Sequence, residues 1–201
     1  MTIKIIFATG NSHKLEELRE ITKIYTKYEG FITFSLPQSP FDPIENGLTF
    51  AENSLIKAKA VLPQKGCLIL ADDSGLCVDA LDGRPGLYSA RYAPTQDEKI
   101  KKLLAEMNDK TDRKAKFVCA MTLLDDNGEV IFKTTGECHG KIALTRAGSN
   151  GFGFDPVFIP DVCQNSVELK TLAQMPSDLK NKISHRAKAL HSVMDYIIDN
   201  L

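Results

Sequence analysis

Apolar and polar residues follow one another in two rhythms along this chain, and the switches between them predict a series of strands and helices. The run IKIIFA, residues 3–8, is short and rich in β-formers and predicts a buried strand. Thr9-Gly10-Asn11 makes a turn. From Asn11 the spacing becomes helical, with Leu15, Leu18 and Ile21 on one face, and Asn11 or Ser12 stands where an N-cap belongs. Residues 31–36 predict a second strand, followed by a Pro-rich loop over 37–43. Thr49 and Glu52 match a capping box, opening a helix that carries Phe50, Leu55, Ile56 and Ala60 and ends before Pro63. CLILA, residues 67–71, is a fully apolar strand running into ADDSG. A Gly/Pro-rich loop over 82–94 and an amphipathic helix over 97–107 come next. Strands over 116–124 and 129–142 are joined by Asp125-Asp126-Asn127-Gly128, a hairpin signal. After the Gly-rich stretch GSNGFGFDP, a C-terminal helix carries Ile183, Ala187, Leu190, Met194 and Ile197 at helical spacing. Early strand–helix alternation with a later hairpin predicts an α/β protein with a mixed central sheet flanked by helices. The chain reads as a single domain over 1–201, with the loops at 37–43 and 148–151 as candidate hinges between two lobes.

Composition narrows the function classes. The chain of 201 residues is 43% apolar, enough for a real core. Its 25 basic and 26 acidic side chains leave a net charge of −1, so no global positive field exists to hold nucleic acid. A site for a polyanion must be a local gathering of charge. The N-terminal apolar run is too short for a signal peptide, and no stretch approaches the ~20 apolar residues of a membrane span. Cys67, Cys77, Cys119, Cys138 and Cys163 are odd in number and widely spaced, with no C-x-x-C. Reduced thiols in a reducing cytoplasm are expected, with neither a zinc site nor a redox pair.

Five segments carry candidate chemistry, each with an ordinary structural alternative. In TGNSHK a strand gives way through Gly10 to a helix with Lys14 in its first turn, which suits an anionic oxygen; taken alone, the segment reads more readily as a capped helix with a solvated lysine. In ADDSG, Asp72 and Asp73 repel unless a cation or strong donor sits near them. They point to opposite faces if the strand continues and form an acidic turn if it has ended. One of them could bind Mg²⁺ and activate water. Glu45, Glu52, Asn53 and Lys57 form a third group: Glu52 reads as a capping partner, Lys57 as a ligand contact or a solvated charge. In GFGFDP, Phe152 and Phe154 either stack on a flat base, with Asp155 accepting a hydrogen bond from it, or enter the core. His185 and Arg186, at the start of the last helix, offer donors to a base carbonyl or a phosphate, or face solvent.

Taken in order, ATGNSHKLEEL, GLTFAENSLIKAKA, ADDSGLCVDALDGRPGLYSARYA, GFGFDPVF and SHRAKAL resemble the inosine triphosphate pyrophosphatase family, the Ham1-like non-canonical purine NTP pyrophosphatases. The likeness spans residue 5 to about residue 190. It implies a two-lobed mixed-sheet fold with the nucleotide in the cleft between the lobes, a homodimer, and Mg²⁺-dependent hydrolysis of ITP, dITP and XTP to monophosphate and pyrophosphate. By position it implies that Thr9, Gly10, Asn11, Ser12, His13 and Lys14 form the phosphate-holding segment, although His13 itself matches no family role. Glu45 and Asp73 are implied as metal ligands, with Asp73 also the proton acceptor and Asp72 supporting the metal shell. Ser74 is implied to touch substrate and Lys57 to touch phosphate. Phe152, Gly153, Phe154, Asp155, Lys180, His185 and Arg186 are implied as nucleoside and base contacts. Asp42 is the alternative to Glu45, because the loop before GLTF varies in length. A nucleotide sensor without turnover would have no use for the base in ADDSG, and a reader of deaminated bases in a polymer is disfavoured by the charge of −1.

Overall fold

The computed structural model describes residues 2–24, 30–38, 41–163 and 169–200. Among them are β1 (Ile3–Phe7), β2 (Ile32–Ser35), β3 (Cys67–Val78), β4 (Lys114–Leu124), β5 (Val130–Ile142) and β6 (Phe158–Pro160). They form one sheet in the order β2-β1-β3-β4-β5-β6. Helices α1 (Ser12–Ile24), α2 (Phe50–Lys59), α3 (Gln96–Glu106), α4 (Ser177–Ile183) and α5 (His185–Asn200) accompany it. β1 runs parallel to both neighbours, with Ile3 opposite Ile32 and Lys4 opposite Cys67. β5 and β6 are antiparallel. The mixed α/β class expected from the alternation is the one observed. No helix among the described residues is long and apolar enough to cross a membrane.

The chain divides into two compact units. One comprises Met1–Asp73, Cys119–Gly136 and His185–Leu201, the other Ser74–Val118 and Glu137–Ser184. The divisions fall within β3, β4 and β5 and at the α4–α5 junction. Residues 148–151 lie inside the second unit, and the loop over 37–43 is described only in part.

In the first unit the alternation of β1 and β3 sorts side chains to two faces. Ile5, Phe7 and Leu70 pack with Leu15, Leu18 and Ile21 of α1 and with Leu190, Val193, Met194 and Ile197 of α5. Ile6, Ala8, Ile69 and Ala71 pack with Ala58 and Val61 at the C-terminal end of α2. Both faces are therefore covered, as parallel strands require. α2 differs from the expected apolar stripe: its buried residues are Asn53, Ser54, Lys57 and Ala58. Ser54 Oγ lies 2.7 Å from Thr122 Oγ1 of β4, and both are buried. Phe50, Leu55 and Ile56 are only half-buried.

In the second unit Leu76, Val78, Ile100, Leu103, Met107, Phe117, Val157, Phe158 and Leu172 form the core. Thr95 and Glu98 make a reciprocal capping box at the start of α3, a cap of a kind worth about 1 kcal/mol. The rings of Phe117 and Phe158 sit 4.7 Å apart at a tilt of 56°. Residues 79–81 form one 3₁₀ turn, and residues 86–91, inside the stretch expected as loop, form another.

The expected C-terminal helix is interrupted. Ser184 is extended, with φ −66° and ψ 154°, so Ile183 closes α4 and the helix with the predicted spacing starts at His185. Cys119 and Cys138 are buried and Cys67 and Cys77 half-buried, all as free thiols. The Cys163 side chain lies outside the described residues.

Candidate active site

β3 does not stop at the aspartates. Its 12 residues, Cys67–Val78, run straight through Ala71-Asp72-Asp73-Ser74-Gly75, so the acidic turn anticipated as one alternative is absent. Residue parity then decides where each carboxylate goes. Asp72 follows Leu68 and Leu70 onto the α1/α5 face, and Asp73 follows Ile69 and Ala71 onto the α2 face. Their hydrogen-bond partners agree with this sorting.

On the α1/α5 face Asp72 is 1% exposed. Its Oδ1 accepts from Lys14 Nζ at 2.8 Å, and its Oδ2 accepts from Arg186 Nε at 3.2 Å and Nη2 at 3.1 Å. Arg186 Nη1 donates to Glu17 of α1. Burial would raise the Asp72 carboxyl, but the charges of Lys14, Arg186 and Lys57 outweigh it and hold the group far below the usual carboxylate range. Burial alone would lower the Arg186 guanidinium, and Glu17 and Asp72 reverse that. Cys119 places its sulfur 3.9 Å from Asp72 Oδ2. Burial and that carboxylate push its thiol up, so it stays protonated and unreactive.

On the α2 face Lys57 Nζ lies 2.8 Å from Asp73 Oδ1 and 3.3 Å from Glu45 Oε1. Lys57 is 6% exposed, so it is no solvated helix charge. Burial pulls it down, yet Asp72, Asp73 and Glu45 together raise it, and it remains an ammonium. Burial, with the like charge of Glu45, raises Asp73 in spite of Lys57 and Lys14. Asn53 Nδ2 donates to Asp73 Oδ2 at 3.3 Å. The structure thus brings Glu45, Asp73 and Lys57 together and sends Asp72, expected in the same metal shell, to the other face with both oxygens taken by cations.

The TGNSHK segment is a capped turn. Asn11 Oδ1 accepts from His13 N at 3.0 Å, and Thr9 Oγ1 accepts from Asn11 N at 3.1 Å. Thr9 is buried, while Gly10, Asn11, Ser12 and His13 are exposed. His13 faces solvent beside Glu16, 3.7 Å away.

The second unit holds a separate cluster. Ser74, half-buried on β3, is the first residue of this unit, and the cluster itself is built around Asp155. Asp155 Oδ2 accepts from Phe152 N at 2.9 Å and from Lys180 Nζ at 2.7 Å. Lys180 Nζ also stands 4.8 Å from the centre of the Phe152 ring. The loop closes on itself because Gly151 has φ +72°, and a Cβ there would come within 2.1 Å of Asp155 Oδ2. Phe152 and Gly153 are half-buried, but Phe154 is 3% exposed and meets Tyr92 edge-on at 6.0 Å. The two aromatics therefore part company: Phe154 serves the core, and Phe152 alone keeps an accessible ring. Asp155 anchors its own loop.

His185 and Arg186, at 7% and 1% exposure, are buried and not on a solvated face, and the Arg186 fork is committed to carboxylates. Glu17, Cys119 and Tyr92 are not among the residues the sequence marks as candidates, and Asn53 stands in its third group without an assigned role. For Glu17 a signal existed, since it lies three residues after Lys14 and adjoins Leu18 on the buried stripe of α1.

These features define a mixed α/β protein whose central strand presents adjacent carboxylates, each with its own lysine. The chain belongs to the Ham1 family, whose model matches residues 5–196. It is 46% identical over 198 residues to a dITP/XTP pyrophosphatase of Campylobacter jejuni, covering 94% of each chain. It is 42% identical over 202 residues to one of Oceanobacillus iheyensis, covering 96% of this chain and 98% of that one. Among solved structures it resembles a HAM1 protein from Coxiella burnetii, with TM-score 0.83, 36% identity and coverage of 98% and 100%.

Proposed function

We propose that this protein hydrolyses the non-canonical purine nucleoside triphosphates ITP, dITP and XTP to the monophosphate and pyrophosphate. The observation that carries the reading is the set Glu45–Lys57–Asp73: two carboxylates and an ammonium gathered at one face of β3, with Lys57 and Asp73 buried and Glu45 half-buried. The names of the relatives point the same way.

The reading includes Mg²⁺. Glu45 and Asp73 would supply hard oxygen donors to the cation, and among the described residues no group of three His, Cys, Asp or Glu side chains is gathered to hold a metal unaided. That donor set fits Mg²⁺, which takes one or two carboxylates and completes its shell with phosphate oxygens and water. When bound, Mg²⁺ supplies neutralisation of the phosphate charge. Asp73, raised by burial, accepts the proton of the attacking water as it meets the α-phosphorus. Lys57 and Lys14 meet the charge that develops on the phosphates, and Asp72 holds Lys14 in place. Thr9, Gly10, Asn11 and Ser12 shape the phosphate segment. Ser74, Phe152, Gly153, Asp155, Lys180 and His185 are the proposed contacts to nucleoside and base, with Phe152 stacking. Arg186 braces Asp72 and Glu17.

The proposal extends to a homodimer in the cytoplasm. Ile44, Leu48 and Leu62, each more than 80% exposed in the first unit, are apolar surface of the kind a second copy covers. Metal dependence tests the mechanism. Turnover of dITP is expected to stop in EDTA and return with excess Mg²⁺, measured as pyrophosphate release; full turnover in the chelator contradicts the roles of Glu45 and Asp73.

A further inference from the structure

Asn53 is 1% exposed, and both ends of its amide are used. Nδ2 donates to Asp73 Oδ2 at 3.3 Å, and Oδ1 accepts from the backbone N–H of Gly47 at 2.8 Å. The chemistry fixes this orientation, because only the NH₂ can donate to a carboxylate and only the oxygen can accept from an N–H. Gly47 lies two residues after Glu45. One buried side chain therefore ties the segment bearing Glu45 to the carboxylate of Asp73.

The tie is tight. A Cβ at Gly47 would come within 2.7 Å of both Asn53 Oδ1 and Glu52 Cβ, so the segment is pressed onto the first turn of α2 at a point where only glycine fits. Leu48 N donates to Glu52 Oε2 at 2.6 Å, and Thr49 Oγ1 accepts from Glu52 N at 3.1 Å. Glu52 thus reaches one residue further back than a standard capping box, and three successive residues are fastened to α2. Asp73 in turn is held by Lys57 on Oδ1 and by Asn53 on Oδ2, a pair of donors that fixes the plane of its carboxylate.

We propose that Asn53 is a positioning residue that sets the separation and orientation of the Glu45 and Asp73 carboxylates for a divalent cation. This rests on the metal reading given above. Asn53 touches neither substrate nor metal in this assignment. It acts through the two groups that do, and outer partners of this kind typically change metal affinity by about 10- to 100-fold when removed.

The test is Mn²⁺ affinity of the full chain without nucleotide, by calorimetry or by the free-ion paramagnetic signal, alongside thermal unfolding. Asn53→Ala and Gly47→Ala are expected to weaken Mn²⁺ binding at least about tenfold. Gly47→Ala keeps the Asn53 amide and displaces the segment it holds, so it carries the test should Asn53→Ala not fold. Thr49→Ala, which removes the α2 cap but leaves the Asn53 bridge, is expected to lower the unfolding temperature and keep wild-type Mn²⁺ affinity. Wild-type affinity in the Asn53 and Gly47 variants overturns the proposal and leaves the function standing. So does equal weakening in Thr49→Ala, since the effect would then follow stability. A wild-type protein that binds no Mn²⁺ and turns over dITP without metal overturns both.

Discussion

Asp73→Asn is expected to lower kcat for dITP by about a thousandfold or more, the upper part of the range for loss of a proton acceptor, while nucleotide binding stays measurable. The substitution is nearly isosteric, so the packing of β3 against α2 is preserved. What changes is charge. The amide no longer accepts a proton from water, and only Glu45 remains to attract a cation beside Lys57. Lys57 loses its partner at 2.8 Å and keeps the one at 3.3 Å, so the site becomes more positive and triphosphate still binds. Steady-state kinetics with calorimetric binding of dITP checks both halves. A kcat within about tenfold of wild type would remove Asp73 as the base.

The second large effect is on stability. Arg186→Ala leaves Glu17 and Asp72 buried without the guanidinium that joins them, and breaking a buried pair from one side costs about 3–5 kcal/mol. For a chain of this size that corresponds to a fall in unfolding temperature on the order of 10 °C. Lys14 still serves Asp72 Oδ1, so the loss concentrates on Glu17 and on Asp72 Oδ2. Arg186→Lys should recover only part of it, because a single ammonium cannot reproduce the fork that reaches two carboxylates. The sequence suggests a different role for Arg186, donation to the 6-keto oxygen of the base. That role predicts an unchanged unfolding temperature in Arg186→Ala and a collapse of the ITP-to-ATP ratio of kcat/KM. Calorimetric melting and kinetics on both substrates separate a brace from a base reader.

The periodicity of the chain made the order and type of most elements legible. IKIIFA is a β-rich run with one lysine, CLILA is unbroken and apolar, α1 and α3 are amphipathic, and Asp125–Gly128 is a turn by composition. What stayed hidden was decided by polar groups that are buried because they are paired. Asp72 and Asp73 look like the end of a strand, since isolated carboxylates avoid the core; here Lys14, Arg186 and Lys57 compensate them, and β3 runs on. α2 hides its polar face for the same reason: Asn53, Ser54 and Lys57 each find a partner on β3 or β4. No Gly or Pro marks the break at Ser184, so local propensity carried no sign of it. The motifs supplied the candidate residues, and strand parity then sorted Asp72 and Asp73 to opposite faces. That second step needed the knowledge that β3 continues.

The most direct measurement is a product analysis of dITP, XTP and dGTP turnover with Mg²⁺, resolved by ion-exchange chromatography. The account predicts monophosphate and pyrophosphate in equal amounts from dITP and XTP, and far slower turnover of dGTP. Diphosphate with inorganic phosphate, or dGTP consumed as fast as dITP, would contradict it.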